Sequence, residues 1–206
     1  DIVLRFFFSK KIIRGKEFLN LVDGPLIIAP THRSRWDGLI LTRAIGRRVT
    51  NRDCRFMVTT PEMKGIQGWF LKRLGCFSIN QDSPSLFSLR YTVELIFSKN
   101  QLVIFPEGKI TRTGNNLKLK QGLFRLAKLA RKKGEPIKIL PVGIAYDNVK
   151  PKFRDRFAIC IEKPFDLDDF SHASVDDFNF YLRQSIQKAE KKALKQVGRK
   201  LDDQLE

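Results

Sequence analysis

The sequence predicts an α/β fold in which one domain holds a mixed, largely parallel central sheet flanked by helices. A length of 206 residues suffices for one well-buried domain and is short for two. A hydrophobic content of 42% that includes 17 Phe excludes a disordered chain. Short β-prone runs alternate with longer segments of helical periodicity, which is typical of α/β folds with parallel strand pairing. No repeat, linker or low-complexity tract interrupts the pattern, so residues 1–206 are assigned to one domain.

Six short apolar runs predict the strands. These are residues 26–29, 56–59, 76–79, 102–105, 137–142 and 157–161.

Three internal helices are predicted between these strands. Pro61 begins the first and Gly75 ends it. Its apolar face comprises Ile66, Trp69, Phe70 and Leu74. The second follows the turn at 82–84 and places Leu86, Leu89, Val93 and Ile96 at helical spacing. The third covers about 121–133 and ends at Gly134, with these residues inward: Leu123, Leu126, Ala127 and Ala130.

A fourth helix, at about 175–198, is amphipathic and basic. Its broad apolar face comprises Phe178, Tyr181, Leu182, Ser185, Ile186, Ala189, Ala193, Leu194 and Val197, and four lysines lie elsewhere on it. The favoured interpretation is a terminal helix docked on the domain with a solvated charged face. Contact with a membrane surface is the alternative.

Composition restricts the function classes. The balance of 39 Lys+Arg against 22 Asp+Glu gives a net charge of +17, which favours an anionic partner but does not choose among nucleic acid, acidic protein, anionic lipid and phosphorylated small molecules. The three cysteines are far apart, which argues against a disulfide framework and a zinc site. No uncharged apolar stretch approaches the roughly 20 residues of a membrane span. The first residue is Asp1, which is compatible with an upstream anchor or targeting segment.

Polar residues follow the first predicted strand directly. His32 then lies at the carboxyl end of a strand, where open α/β sheets usually bind ligands. Asp37, five positions later, can turn back to hydrogen-bond the imidazole, fix its tautomer and leave the other nitrogen free as a base. The alternatives are a helix N-cap for Asp37 and a loop histidine for His32.

A second polar group follows the strand at 102–105. Pro106 and Gly108 form a turn that can present Glu107, backbone N–H groups, Lys109 and Arg112 at the sheet edge that carries His32. Arginine binds phosphate bidentately and lysine adds a point charge. The alternative is a solvated basic loop.

Together these motifs resemble the glycerolipid acyltransferase family, typified by 1-acylglycerol-3-phosphate acyltransferases. His32 and Asp37 match the catalytic His-x4-Asp of its first block, and Phe-Pro-Glu-Gly at 105–108 matches its third. Leu-Gly-Cys-Phe-Ser-Ile-Asn-Gln at 74–81 resembles the second block, and Ile-Leu-Pro-Val-Gly at 139–143 resembles the fourth. The four blocks occur in order within about residues 26–146.

The sequence departs from this family in two places. Gln81 stands where the second block commonly ends in arginine, and Lys109-Ile110-Thr111-Arg112 moves the arginine of the third block two places along. The resemblance therefore implies Arg112 as the phosphate ligand. It adds Lys120, in a basic-x-Gly run, as a further candidate for which a solvated lysine is the alternative.

The resemblance implies transfer of an acyl group from a thioester on coenzyme A or acyl carrier protein to a hydroxyl of lysophosphatidic acid, in phospholipid biosynthesis. His32 would remove the hydroxyl proton, Asp37 would orient His32, and Arg112 with Lys109 or Lys120 would hold the acceptor phosphate. Glu107 would shape the acceptor pocket, and N–H groups near Gly108 are candidates for the oxyanion hole. Neither a cofactor nor a metal is expected, because the thioester is itself a substrate.

The expected location is the cytoplasmic face of a membrane, bound peripherally to anionic lipid. The aromatic segment 2–8 with Lys10 and Lys11 is a candidate interfacial anchor, and a first helix or strand buried on the core is the alternative. The absence of a Gly-x-Ser-x-Gly elbow argues against a serine hydrolase. Two rival functions are a basic nucleic-acid-binding module, for which no RNA- or DNA-binding motif is found, and a non-catalytic lipid-binding relative.

Overall fold

The computed structural model describes residues 2–80, 83–98, 100–112 and 117–200, and one sheet holds every strand formed by these residues. The eight strands are β1 (Lys10–Arg14), β2 (Leu26–Pro30), β3 (Asp53–Thr59), β4 (Cys76–Ile79), β5 (Asn100–Val103), β6 (Lys138–Tyr146), β7 (Arg156–Ile161) and β8 (Phe165–Asp166). The helices are α1 (Ile2–Phe7), α2 (Asp37–Ile45), α3 (Arg47–Thr50), α4 (Gly65–Arg73), α5 (Leu86–Phe97), α6 (Gly122–Arg131) and α7 (Val175–Gln196). Short 3₁₀ helices occupy Lys16–Leu21, Thr60–Met63 and Leu167–Phe170.

The strand order brings many chain segments to one edge of the sheet. The order is β1-β7-β6-β2-β5-β3-β4, with β8 paired to β6. Strands β6, β2, β5, β3 and β4 are parallel, so their carboxyl ends share one edge. Strand β7 is antiparallel to β6 and parallel to β1, so the start of β1 lies at that same edge. The predicted fold class is confirmed.

Apolar side chains on the two faces of the sheet form two core layers. Helices α1 and α2 cover one face, where Ile28, Val103 and Leu140 are buried. Helices α5, α6 and α7 cover the other, where Ile27, Leu102 and Ile139 are buried. Helices on both faces explain why the central strands are apolar at consecutive positions and do not alternate.

All six predicted strands are present. Strand β4 has the predicted bounds, and the other five have shifted ends. Strand β5 begins and ends two residues earlier than predicted, and β6 extends four residues further. Strands β1 and β8 were not predicted. β1 is a half-exposed edge strand with lysines at its start, and β8 has only two residues, so neither carries a continuous apolar run.

The third and fourth predicted helices are confirmed as α6 and α7. All four residues expected inward on α6 are buried, and α7 packs against the sheet through Phe178, Leu182 and Ile186. This packing agrees with the favoured interpretation of α7 as a terminal helix docked on the domain. Ser174 begins α7 with a capping box to Asp177. Helix α5 is also present and is capped by Ser85, whose hydroxyl accepts a hydrogen bond from the Ser88 N–H; Asp82, in the predicted turn, lies outside the described residues.

The helix predicted from Pro61 to Gly75 needs two corrections. Pro61 lies in the first turn of the 3₁₀ helix Thr60–Met63, and a separate helix, α4, starts at Gly65, whose φ is +57°. The expected apolar face exists but is largely exposed, because α4 lies at the end of the sheet that β4 terminates. Within the described residues, no helix combines the length and apolar character of a membrane span.

Gly143 on β6 lets α7 lie directly on the sheet. A Cβ atom at this position would lie 2.1 Å from the backbone nitrogen of Glu190. We expect Gly143→Ala to lower the free energy of unfolding by about 1–3 kcal/mol, because backbone must move to admit the methyl group.

Chemical denaturation measures this change. Gly122→Ala is the matched control, since nothing lies within 4 Å of its Cβ position. Equal stability of both variants would show that α7 does not pack here as described.

Candidate active site

The segment after β2 is anchored before it reaches His32. The Thr31 N–H donates to the Val142 carbonyl at 3.0 Å, and the Thr31 hydroxyl accepts from the Ile144 N–H at 2.9 Å. Thr31 is fully buried. The loop therefore leaves the sheet from a fixed point, as a site at the carboxyl end of a parallel strand requires.

The structure brings His32 and Asp37 together. Nδ1 of His32 lies 2.8 Å from Oδ2 of Asp37, which also accepts the N–H groups of Arg33 at 2.6 Å and Ser34 at 2.9 Å. Asp37 is the first residue of α2, and its N-cap is Trp36. The carboxylate therefore closes the loop and holds the imidazole, so the capping alternative is wrong. Pairing through Nδ1 leaves Nε2 of His32 to take a proton.

Tyr146 holds the other oxygen of Asp37. Its hydroxyl lies 2.5 Å from Oδ1 of Asp37, and its side chain is buried at the end of β6. Burial and the charge of Asp37 raise the pKa of Tyr146 well above its usual value. The phenol therefore stays protonated and donates to Asp37, which fixes the carboxylate from the side away from His32.

Glu107 and Arg33 form a buried ion pair behind His32. Nη1 of Arg33 lies 2.8 Å from both carboxylate oxygens of Glu107, and the His32 N–H donates to Oε1 of Glu107 at 2.8 Å. On its other side Arg33 binds both oxygens of Glu190 on α7. Arg33 thus joins the His32 loop, the Glu107 loop and the last helix.

Burial and neighbouring charges shift the pKa values of Glu107 and Arg33 in opposite directions. Burial raises the pKa of Glu107, and the charge of Arg33 offsets this only in part. Burial opposes the charged guanidinium, but the hydrogen bonds and charges of Glu190 and Glu107 raise the pKa of Arg33 overall. The pairing keeps the arginine charged inside the protein.

The side chain of Glu107 points into the protein. Its side chain is buried and both oxygens are engaged within the protein, so it shapes the site through the His32 loop. Gly108 has a φ of +70°, and its N–H donates to the Phe105 carbonyl at 3.0 Å. That N–H group is engaged within the turn, whereas Gly108 itself lines the cleft with Lys109 and Ile110. The other N–H groups near Gly108 stay predicted candidates for the oxyanion hole.

His32 faces an apolar cleft of about 480 Å³. The cleft lies between α2, α4, the carboxyl half of β3 and the start of β4. Its apolar lining includes Phe56, Val58, Leu71, Leu74 and Phe105. The imidazole stacks on Phe105 with ring centroids 4.0 Å apart. The volume is in the usual range for small-molecule sites.

Cys76 also lines this cleft. Burial raises its pKa to about 11, so the thiol is protonated at neutral pH and is a poor nucleophile. In the part of the chain that the structure describes, no cluster of three or more His, Cys, Asp or Glu has the arrangement of a metal site.

The predicted phosphate ligands are not all at the cleft. Lys109 is exposed and lines it, together with Arg35, whereas Arg112 and Lys120 are exposed but not part of the lining. The backbone N–H of Lys120 donates to the Pro106 carbonyl at 2.8 Å, which keeps that residue beside the Glu107 turn. The roles of Arg112 and Lys120 stay predictions, and Gln81 lies outside the described residues.

Sequence reasoning missed four residues that build this site: Arg33, Arg35, Tyr146 and Glu190. Arg33 and Arg35 stand inside the His32 motif, so their position was a signal. Tyr146 follows the fourth block by three residues. For Glu190, the sequence offers only a carboxylate on the lysine-rich last helix, which does not indicate a place in this site.

Comparisons with known proteins agree with the motifs. The Acyltransferase family model matches residues 11–145. The glycerol-3-phosphate acyltransferase of Alteromonas mediterranea is 33% identical over 137 residues, which is 60% of this chain and 16% of that protein. The 1-acyl-sn-glycerol-3-phosphate acyltransferase of Streptococcus pneumoniae is 28% identical over 125 residues, which is 60% of this chain and 42% of that protein. This chain thus spans less than half the length of either relative.

A solved structure shares the fold. The crystal structure of the 1-acyl-sn-glycerophosphate acyltransferase PlsC from Thermotoga maritima superposes with a TM-score of 0.66 at 20% identity, covering 93% of this chain and 75% of that one. The family model covers more than half of the sequence and includes every strand from β2 to β5, the His32 loop and the Glu107 turn. This chain therefore belongs to the Acyltransferase family.

Proposed function

We propose that this protein transfers a fatty acyl group from a thioester to a hydroxyl of a phosphorylated glycerolipid, with lysophosphatidic acid as the acceptor. The observation that supports this proposal most directly is the imidazole of His32. The buried Asp37 holds it at 2.8 Å, and it faces an apolar cleft. The relatives named above act, by name, on glycerol 3-phosphate or its 1-acyl derivative.

The chemistry follows from what each group can do. Nε2 of His32 takes the acceptor hydroxyl proton as the oxygen attacks the thioester carbonyl, and Asp37 stabilises the imidazolium that forms. The tetrahedral intermediate then expels the thiolate, which takes the proton held on Nε2 of His32 and so restores the base. No covalent intermediate on the protein is needed, and the protonated Cys76 in the cleft is unsuited to forming one.

The cleft suits the acyl chain. Its lining is mainly apolar, so burying methylene groups there gains about 0.8 kcal/mol for each one removed from water. Coenzyme A and acyl carrier protein are both anionic donors and both suit a net charge of +17. The proposal requires no cofactor and places the protein peripherally on the cytoplasmic face of a membrane.

The direct test incubates the protein with labelled acyl-coenzyme A or acyl-carrier protein, and with lysophosphatidic acid or glycerol 3-phosphate. We expect free thiol and acylated product to appear together, in equal amounts, with the lysophosphatidic acid arm fastest. Faster reaction with glycerol 3-phosphate would reassign the acceptor. Thiol release without acylated lipid would indicate a thioesterase, and no reaction in any arm would contradict the proposal.

Arg112→Ala should raise the KM for the phosphorylated acceptor more than the KM for the thioester. Losing a guanidinium–phosphate contact of about 1.5–3 kcal/mol corresponds to a ten- to hundredfold effect. Arg112→Lys should restore part of it, because a point charge lacks the bidentate geometry.

Steady-state kinetics with each substrate varied in turn measures this. Arg47→Ala is a charge-matched control. Arg47 lies on α3 and pairs with Asp53 at the start of β3, so it lies at the opposite edge of the sheet. Equal increases in both KM values, or an increase for the thioester alone, would show that Arg112 does not bind the acceptor phosphate.

A further inference from the structure

More than half of the net positive charge of this chain lies in one segment. Residues 108–134 contain nine Lys and Arg and no Asp or Glu, so the segment contributes +9 to the net charge of +17. It follows the Glu107 turn and includes α6, whose buried face packs against the sheet through Leu123, Ala127 and Ala130. The cations therefore occupy the remaining surface of α6 and of the loop before it.

These cations begin at the cleft and follow α6 away from it. Lys109 lines the cleft, and the Lys120 N–H donates to the Pro106 carbonyl at 2.8 Å, which ties the start of α6 to the same turn. Helix α6 connects the parallel strands β5 and β6, so it runs toward the opposite edge of the sheet over about 15 Å. The exposed or half-buried cations along this course are called here the α6 track, which comprises Lys109, Lys118, Lys120, Arg125, Lys128 and Lys132.

Within the described part of the chain, no cation of the α6 track has a carboxylate partner. Arg125 donates to a neutral amide oxygen at 2.6 Å, and Lys128 donates to a backbone carbonyl at 3.4 Å. Arg131, on the same helix, instead pairs with both carboxylate oxygens of Asp168. The track therefore keeps its charge for an anion outside the chain.

A groove of about 590 Å³ runs beside the track, between α6 and the start of α7. Three cations of the track, Arg125, Lys128 and Lys132, line one wall, and the turn before α7 lines the other. The lining contains no Asp or Glu. Asp176 and Asp177 follow in the first turn of α7, so the positive surface ends there.

This surface favours one class of anionic partner. A bilayer would require large apolar side chains that enter the interface, and α6 exposes one, Leu129. The phosphates of free coenzyme A, a small ligand, would meet only the cations close to the cleft. An acidic helix of a protein can lie along the whole length of α6, and complementary charge speeds and orients such an encounter.

We propose that the α6 track docks the acidic helix of an acyl carrier protein, so that the flexible acyl-bearing arm of the carrier enters the cleft beside Lys109. This inference rests on the proposed function and deepens it, because it names the class of donor and where that donor binds. The chemistry at His32 is the same for either thioester. Docking does not require turnover, so it is also measured separately.

The first test compares the two thioester donors in steady-state kinetics. Arg125→Glu/Lys132→Glu should raise the KM for acyl-carrier protein at least about tenfold and leave the KM for acyl-coenzyme A within about twofold, because only the carrier spans the helix. Lys191→Glu/Lys195→Glu makes the same change of charge at exposed positions of α7 and is the control, so its KM values should stay unchanged. Thermal melting checks that both variants fold.

The second test measures docking alone, by titrating isotope-labelled acyl carrier protein that lacks an acyl group with the unaltered chain. Changes in NMR chemical shift should map to the acidic helix of the carrier and weaken with rising salt. The affinity should fall at least about fivefold with Arg125→Glu/Lys132→Glu. Changing an acidic residue of the carrier helix to Lys should restore part of the binding to that variant, as expected for a direct contact.

Three results would overturn the inference. They are equal increases in the KM values for both donors, equal losses in the α6 and α7 variants, and carrier binding that charge reversal leaves unchanged. Retention of nucleic acid or anionic vesicles, but not of the carrier, that Arg125→Glu/Lys132→Glu abolishes would assign the track to that partner instead. If neither donor reacts with any chain, the proposed function fails, and the titration still decides whether the carrier docks on α6.

Discussion

His32→Ala should lose most of its turnover while keeping its fold. The imidazole is half-buried at the end of a loop that Thr31, Asp37 and Glu107 hold through other atoms, so its removal leaves those contacts in place. A general base contributes typically about 10²–10⁴-fold to the rate, and we expect a decrease in kcat within or above that range.

Asp37→Asn should also be severe, and the two effects should be far from additive. Base and orienting carboxylate act as one unit, so the double variant should be little slower than His32→Ala alone. Asp37 also accepts from Arg33, Ser34 and Tyr146, so this variant loses more stability than His32→Ala, which gives up one hydrogen bond to Asp37 and the stacking on Phe105.

The assay is acyl transfer under saturating thioester and acceptor, with the melting temperature measured on the same samples. His172→Ala is the control, since His172 is the second of the two histidines and is exposed at the turn before α7. Near-normal kcat in a folded His32→Ala protein would end the proposed mechanism.

Arg33→Met should destabilise the fold by about 3–5 kcal/mol at neutral pH, because removing one partner of a buried ion pair leaves uncompensated charge. Here two buried carboxylates, Glu107 and Glu190, would face the methionine. Arg35→Met is the matched control. Arg35 is exposed two residues along, so its replacement should change stability by no more than about 0.5 kcal/mol.

The deficit should shrink as the pH falls from 7 to 5. Burial already raises the pKa of Glu107, and losing Arg33 removes the charge that offsets this. A carboxyl with a higher pKa in the folded state than in the unfolded state binds more protons when folded, so stability rises as the pH is lowered. Urea denaturation at both pH values measures the effect.

A variant that unfolds at pH 7 can be refolded at pH 5 for the same measurement. A loss of unfolding free energy below about 1 kcal/mol at neutral pH would contradict the buried ionic contacts of Arg33 with Glu107 and Glu190. So would a stability deficit that grows toward pH 5. Glu190→Gln should keep the packing of α7 while losing the charge, so it should cost less than Arg33→Met.

The sequence was sufficient for six of the eight strands and for the reacting pair. Alternation of apolar runs with helical periods depends on local residue order, so strands such as β2 and β4 and helices such as α6 could be located without coordinates. The spacing of His32 and Asp37 across five residues is equally local, because both belong to one loop that enters one helix. Motif resemblance then pointed to acyl transfer.

Contacts between distant segments could not be obtained in this way. Glu107 had the expected position in the chain, but its inward orientation depends on Arg33, 74 residues away, and Arg33 depends in turn on Glu190, 157 residues away. The apolar face of α4 could be listed from the sequence, but hydrophobicity does not tell whether the sheet continues beyond β4 to cover it.

The sequence by itself therefore determined the α/β class, the motif-bearing loops and the pairing of His32 with Asp37, because local periodicity and short spacing govern each of them. Only the tertiary structure decided which carboxylates brace the loop, which cations reach the cleft and which apolar faces stay exposed. These depend on strand order and on how α7 crosses Gly143, and such long-range packing leaves no local pattern in the sequence.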